Sequence, residues 1–232
     1  MLKPPKPVSR RQELREDKVI TAYARTMTMA EDNKGLLIAA AAGIVVIFLG
    51  VLGFTLYQGG QSDRADDVLG AILPAYESGS FQEALDGTPE ALGLLDIADD
   101  YASTEAGNLA RFYAAGALFE LGRYDEAAAM YADYNGADLL GASALAGQAA
   151  IAEINGDHGG AGNLYRRAAR AYESAATAPA YYLDAARNFE AAGDYGAARA
   201  AYEAIAEDYD NAPEAADLAV YTARLDALEN GE

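Results

Sequence analysis

ALFELGRYDEAAAMYADY (117–134), IAEINGDHGGAGNLYRRAA (151–169) and FEAAGDYGAARAAYEAIA (189–206) are three versions of one pattern. Each sets a Gly, an aromatic or His two residues on, an Ala three further, and a Tyr four beyond that. The residues are Gly122, Tyr124, Ala127 and Tyr131; Gly156, His158, Ala161 and Tyr165; Gly193, Tyr195, Ala198 and Tyr202. The first two glycines are 34 residues apart and the second two 37. Such a pattern predicts pairs of helices. Gly takes the left-handed conformation that closes the first helix. The aromatic plugs the gap between the two helices, the Ala lets them approach, and the Tyr fills the next space. One pair cannot bury its apolar faces alone, so the pairs must stack on one another. A weaker copy, Gly79-Ser80-Phe81-Gln82-Glu83-Ala84-Leu85, stands 43 residues before Gly122. Between the two, Leu92 to Tyr101 reads as an amphipathic helix, and Pro213 to Leu228 as a closing helix. The fold class is therefore all-α.

The period and the G-x-[YF]-x-x-A-x-x-x-[YF] skeleton are similar to tetratricopeptide repeats, which build helical solenoids. In that repeat class the first helix of each pair lines the concave groove. Carried onto this chain, the resemblance implies a partner-binding face of Leu109, Phe112, Phe119 and Glu120, then Glu153, then Leu183, Arg187 and Glu190. Phe112 and Phe119 equally suit the filling of the solenoid core. The face has no Lys, so a partner segment with apolar and basic residues fits it better than one clamped by its carboxylate.

Ahead of the repeats, Leu36 to Tyr57 are 22 positions without a charge, and 13 of them are Leu, Ile, Val or Phe. A helix rises about 1.5 Å per residue, so this one spans a hydrocarbon core of about 30 Å. Lys3, Lys6, Arg10, Arg11, Arg15, Lys18, Arg25 and Lys34 precede it, whereas Arg64 is the sole basic residue between Tyr57 and Arg111. The positive-inside rule places the N-terminus in the cytoplasm and exports residues 58–232. The 35 residues before the apolar stretch exceed the n-region of a secretory signal, so an uncleaved anchor is expected. Ala39, Gly43, Gly50 and Gly53 fall on one stripe of this helix, a surface on which a partner helix could pack closely. The expected organisation is a disordered tail at 1–8, a juxtamembrane helix within 9–35, the membrane helix at 36–57, a flexible linker at 58–62 and the repeat domain at 63–232. The juxtamembrane helix, opened by the capping-box pattern Ser9-Arg10-Arg11-Gln12, reads as an interfacial or docking helix or as a solvated lead-in.

Charge is divided unevenly. Residues 1–35 carry 8 basic and 5 acidic side chains, and residues 58–232 carry 9 Arg, no Lys and 31 Asp or Glu. An exported part with a net charge of −22 repels nucleic acid and anionic lipid. Solubility in a salty habitat accounts for such a composition, and so does attraction of basic partner segments. No catalytic constellation stands out. The chain has no Cys and one His, and His158 occupies the position of Tyr124 and Tyr195, which suits helix packing. Glu207-Asp208-Tyr209-Asp210-Asn211 lacks the Gly and terminal Glu of a calcium loop. Gly159-Gly160-Ala161-Gly162 has neither the preceding strand nor the Lys-Ser/Thr of a phosphate loop. The expectation is a binding module with no catalytic, metal or cofactor residues.

The stretch Gly93-Leu94-Leu95-Asp96-Ile97-Ala98-Asp99-Asp100-Tyr101, followed by Thr104, Gly107-Asn108-Leu109-Ala110, Tyr113 and Leu121-Gly122-Arg123-Tyr124, resembles the YfgM-like family and its relatives in other Gram-negative lineages, and the lead Glu13-Leu14-Arg15-Glu16-Asp17-Lys18 is similar to those relatives. Those are single-pass tetratricopeptide proteins, ancillary subunits of the bacterial Sec translocon. The resemblance implies a bacterial inner-membrane protein with its C-terminal domain in the periplasm. The implied partners are the translocon (SecYEG) and a membrane-anchored periplasmic chaperone. A general cell-envelope assembly scaffold and a holdase-like chaperone that binds clients itself are the alternative readings.

Overall fold

The computed structural model describes residues 33–230, and the expected tail and most of the juxtamembrane segment lie outside them. Among the described residues there are ten α-helices and no strand, apart from an isolated antiparallel bridge between Gly87 and Leu92. The all-α class is correct. The chain divides into two compact units, Met1–Gln58 and Gly59–Glu232.

Helix α1 (Lys34–Glu77) contains the apolar stretch. It is the one described helix long and apolar enough to cross a membrane, with a mean hydropathy of 1.8 over its most apolar 18 residues. Ile44 to Leu49, Val51, Leu52 and Phe54 are all exposed, as are Ala39, Gly43, Gly50 and Gly53.

Residues 58–62, read from sequence as a flexible linker, are helical instead. Two glycines cost a helix only about 1 kcal/mol each relative to Ala. In the second unit Ala65, Leu69 and Ile72 of the same helix are buried in a core, which offsets that cost. Helices α2 (Phe81–Asp86) and α3 (Leu94–Asp100) follow, then the pair α4 (Glu105–Glu120) and α5 (Tyr124–Asp133). The next pairs are α6 (Leu139–Ile154) with α7 (His158–Ala171) and α8 (Ala178–Ala191) with α9 (Tyr195–Asp208). A 3-10 turn at Pro213–Ala215 leads to α10 (Leu218–Asn230). The expected helix from Leu92 starts at Leu94, because Thr88 to Leu92 are spent on a turn and the bridge to Gly87. The closing helix is likewise broken, its first turn being 3-10.

Four turns share one construction. Gly79, Gly122, Gly156 and Gly193 have φ between 74° and 80°. After each, the next residue's N–H reaches the carbonyl five positions back: Ser80 to Ala75, Arg123 to Leu118, Asp157 to Ala152 and Asp194 to Phe189, each at 2.9 Å. This is the Schellman closure, which satisfies carbonyls that a helix end leaves open. Asp157 and Asp194 then cap the following helices by accepting from Gly160 and Ala197. Ala127, Ala161 and Ala198 are fully buried where the paired helices meet. The principal contacts join helices that are adjacent in sequence or next but one. Burial falls into two clusters: one runs from the end of α1 to α5 with Ile151 of α6, the other from Ala149 of α6 to Leu225 of α10.

Three glycines inside helices make room for rings from neighbouring elements. A Cβ on Gly116 would lie 2.6 Å from the Tyr76 hydroxyl, on Gly147 2.5 Å from the Tyr131 ring, and on Gly162 2.8 Å from the Phe189 ring. Of the glycine-rich run, Gly160 would meet its own cap residue Asp157, while Gly159 has open space. Close packing at a helix start, rather than a phosphate loop, accounts for Gly162.

Candidate binding surface

The residues singled out from the sequence fall into three neighbourhoods, and the repeat position explains each. In the first, Phe119 stands three residues before Gly122 and packs edge-on against Tyr124, two after it, with ring centroids 5.4 Å apart. The earlier turn repeats this pair with Tyr76 and Phe81 at 5.6 Å. Tyr76 also meets Tyr113 at 5.0 Å, and Phe112 meets Tyr131 at 5.9 Å and Tyr134 at 5.6 Å. Phe112 and Phe119 are half-buried, so each both fills the core edge and shows part of its ring. Leu109 is half-buried against the first cluster. Glu120 is exposed beside this aromatic group. Burial, then the neighbouring Tyr76 and the Glu120 charge, push the Tyr131 phenol up to about 12. A phenolate there would be both desolvated and repelled.

The second neighbourhood joins α6, α7 and α8. Asn188, only 3% exposed, donates through Nδ2 to Glu153 Oε2 and to the Asp184 carbonyl, both at 3.1 Å. Both amide protons are thereby used, so its Oδ1 accepts from His158 Nδ1 at 3.1 Å. His158 therefore fills the aromatic position and adds a polar link between pairs. Arg187 makes an exposed ion pair with Asp184 at 3.5 Å. Burial raises the Asp184 carboxyl, with Arg187 opposing and Glu153 and Glu214 reinforcing. Tyr165, 8% exposed, lies beside Asp184 and Glu153, and its phenol is held well above the usual tyrosine range, chiefly by burial.

In the third, Glu190 is turned into the fold. Tyr202, 1% exposed, donates its hydroxyl proton to Oε1 at 2.7 Å, and Arg224 of α10 donates to Oε2 at 2.6 Å. The Arg224 guanidinium also lies over the Tyr221 ring. Leu183 is buried in the second core cluster. Two of the eight positions carried over from the repeat class, Leu183 and Glu190, are thus engaged by the fold itself. Phe112, Phe119, Glu120, Glu153 and Arg187 keep exposed surface, and Leu109 part of it.

Sequence reasoning missed Asn188, Asp184 and Arg224. The signal was present: Asn188 follows Glu153 by 35 residues and Arg224 follows Glu190 by 34, so each carboxylate is held from a helix one repeat further on, the closing helix α10 in the second case. Two open cavities adjoin the first neighbourhood. One, of about 460 Å³, is bordered by Thr104, Asn108, Arg111, Tyr134 and Asp138. Its wall is fixed by Asn108, which bonds both the N–H and the carbonyl of Asn135. The other, of about 400 Å³, lies between Tyr131, Tyr134, Leu145, Gln148 and Arg167. Among the described residues no group of three or more His, Cys, Asp or Glu is placed to hold a metal ion. Exposed half-rings, flanking carboxylates and open polar cavities suit contact with another chain's side chains. The sequence matches neither a protein-family model nor a curated protein.

Proposed function

We propose that this chain is a membrane-anchored tetratricopeptide-type protein whose work is binding other proteins on the exported side of a bacterial inner membrane. Residues 36–57 anchor it, the N-terminus stays in the cytoplasm and the helix pairs from residue 59 onward carry the binding surface. The observation that carries this reading is the combination of a long apolar helix, basic residues before it, and helix pairs closed four times by the same glycine turn. The resemblance of residues 93–124 to the YfgM-like family supports a more specific role, as an accessory subunit of the Sec translocon (SecYEG) working beside a periplasmic chaperone. The stripe Ala39, Gly43, Gly50 and Gly53, with open space at all three glycines, offers a close-packing surface to a membrane partner. A segment with apolar and basic residues would bind across Phe112, Phe119, Glu120 and Glu153.

Isolation of the full chain in mild detergent, followed by mass spectrometry, tests the partner. Recovery of translocon subunits is expected, and recovery of unrelated envelope-assembly proteins in their place would favour a scaffold. Protease added to spheroplasts should digest the repeats and spare the N-terminal segment; the reverse pattern would invert the topology.

A further inference from the structure

The second unit has nine arginines among 31 carboxylates, so most of them should find an acidic partner. Arg123, Arg187, Arg199 and Arg224 do. Arg111 bonds the carbonyls of Ala98 in α3 and Ala102 in the turn after it, and Arg166 bonds Asn163 and covers the Phe189 ring. Arg64, Arg167 and Arg170 remain exposed. Arg167 and Arg170 sit three positions apart on one face of α7, where neither makes an ion pair or hydrogen bond among the described residues. Arg167 also borders the 400 Å³ cavity, whose other walls include Tyr131, Tyr134, Leu145 and Gln148.

We propose that Arg167, Arg170 and this cavity form a docking site for an acidic peptide segment, which goes beyond the proposed function and does not depend on it. Two guanidinium forks side by side match carboxylates, which they grip through paired N–H groups. The cavity holds the bulk of one or two side chains, and its rings and Leu145 suit an apolar neighbour of the carboxylate. The Gln148 amide can bond the segment's backbone. Charge complementarity operates locally although the unit is acidic as a whole, because at physiological salt fields are screened within about 8 Å.

The test uses the full chain in an uncharged detergent and a fluorescently labelled ten-residue peptide of Glu, Leu and Gly, read by anisotropy. Twins with Lys for Glu and with an amidated C-terminus complete the set. The acidic peptide is expected to bind, the Lys twin to bind at least tenfold more weakly, and the double variant Arg167→Glu/Arg170→Glu to lose at least tenfold in affinity. Arg64→Glu should bind as the parent does. Loss on amidation assigns the site to a C-terminal carboxylate and retention assigns it to Glu side chains; both support it. The variant Arg167→Gln/Arg170→Gln, with an unchanged melting curve, separates lost binding from lost fold. Absence of binding to the parent chain, or equal binding to parent and double variant, would overturn the proposal. Self-association of the parent chain that the double variant abolishes would overturn it in favour of a second copy.

Discussion

Three residues before Gly79 and Gly122 stand Tyr76 and Phe119, each packed edge-on against the aromatic two residues after the glycine. Three residues before Gly156 and Gly193 stand Glu153 and Glu190, each held by a polar side chain from a helix one repeat further on, Asn188 of α8 and Arg224 of the closing helix α10. The backbone of the four turns is the same, and the closure is made by main-chain hydrogen bonds alone. The difference shows that the glycine and the buried Ala define the hairpin, while the residue at this position is free to be an apolar plug or a polar tie. At this position the N-terminal turns hold packed rings and the C-terminal turns hydrogen-bonded carboxylates, while rings also pack elsewhere in the C-terminal half, Tyr202 on Tyr221 at 5.5 Å and Tyr182 against Tyr209 at 6.2 Å. The two buried clusters divide near the same place, at α6.

The sharpest way to break the comparison is Phe119→Ala. Loss of a buried Phe costs about 3–5 kcal/mol, and half-burial places this one near 3 kcal/mol. Denaturant unfolding of the full chain in detergent should show the loss; a change near zero would mean that the ring belongs to the surface and not to the pair.

Tyr202→Phe comes next. It removes a hydrogen bond to a carboxylate that is largely buried, an interaction worth about 1.5–3 kcal/mol. Tyr131→Phe, in the aromatic half, should cost under about 0.5 kcal/mol, since burial of the ring is kept. Equal losses from the two would erase the distinction between the halves.

Overpacking gives a third comparison. Gly162→Ala pushes a methyl group into the Phe189 ring and should cost about 1–3 kcal/mol. Gly159→Ala meets nothing and should stabilise by about 0.5–1 kcal/mol through helix propensity. Opposite shifts in melting temperature are expected, and a gain from Gly162→Ala would show that the ring can step aside.

The smallest effects concern pH. Burial raises the Tyr165 and Tyr202 phenols, and the nearby carboxylates add to it. A group raised on folding gives stability that is complete below its unfolded value and fades as pH climbs through the folded one. These tyrosines should therefore hold the C-terminal pairs together to about pH 10 and fail above it. Phenolate absorbance should show a late component that shrinks in Tyr165→Phe and Tyr202→Phe. Asp184 is also raised, so its contribution fades as pH rises through its folded value and is already reduced at neutrality. Asp184→Asn should raise the unfolding midpoint slightly at pH 7 and leave it unchanged near pH 3; a fall at pH 7 would show that the Arg187 pair outweighs burial.

Much of the fold was legible in the sequence because glycine and alanine mark geometry directly. A left-handed glycine at a fixed distance from a small residue has few other uses, and all four turns and the three buried alanines fall where the spacing puts them. Polar wiring was less legible. Glu153 and Glu190 look like solvated groove residues until the helix 34 or 35 positions on is seen to supply Asn188 and Arg224. Nothing local to the glutamates announces such a partner. The helical state of residues 58–62 was hidden for a related reason. Two adjacent glycines suggest a break in the helix, and only the burial of Ala65, Leu69 and Ile72 further along favours helix through them.

Because each turn is sealed by its own main-chain bonds and each helix leans on those just before it, the second unit can assemble in the order in which it is made. A pair that has emerged from a narrow exit needs no residue still inside to close its hairpin, and it offers a finished face to the pair behind it. Nascent chain would stay exposed for one hairpin at a time, which keeps short the interval in which its apolar faces could stick to anything else.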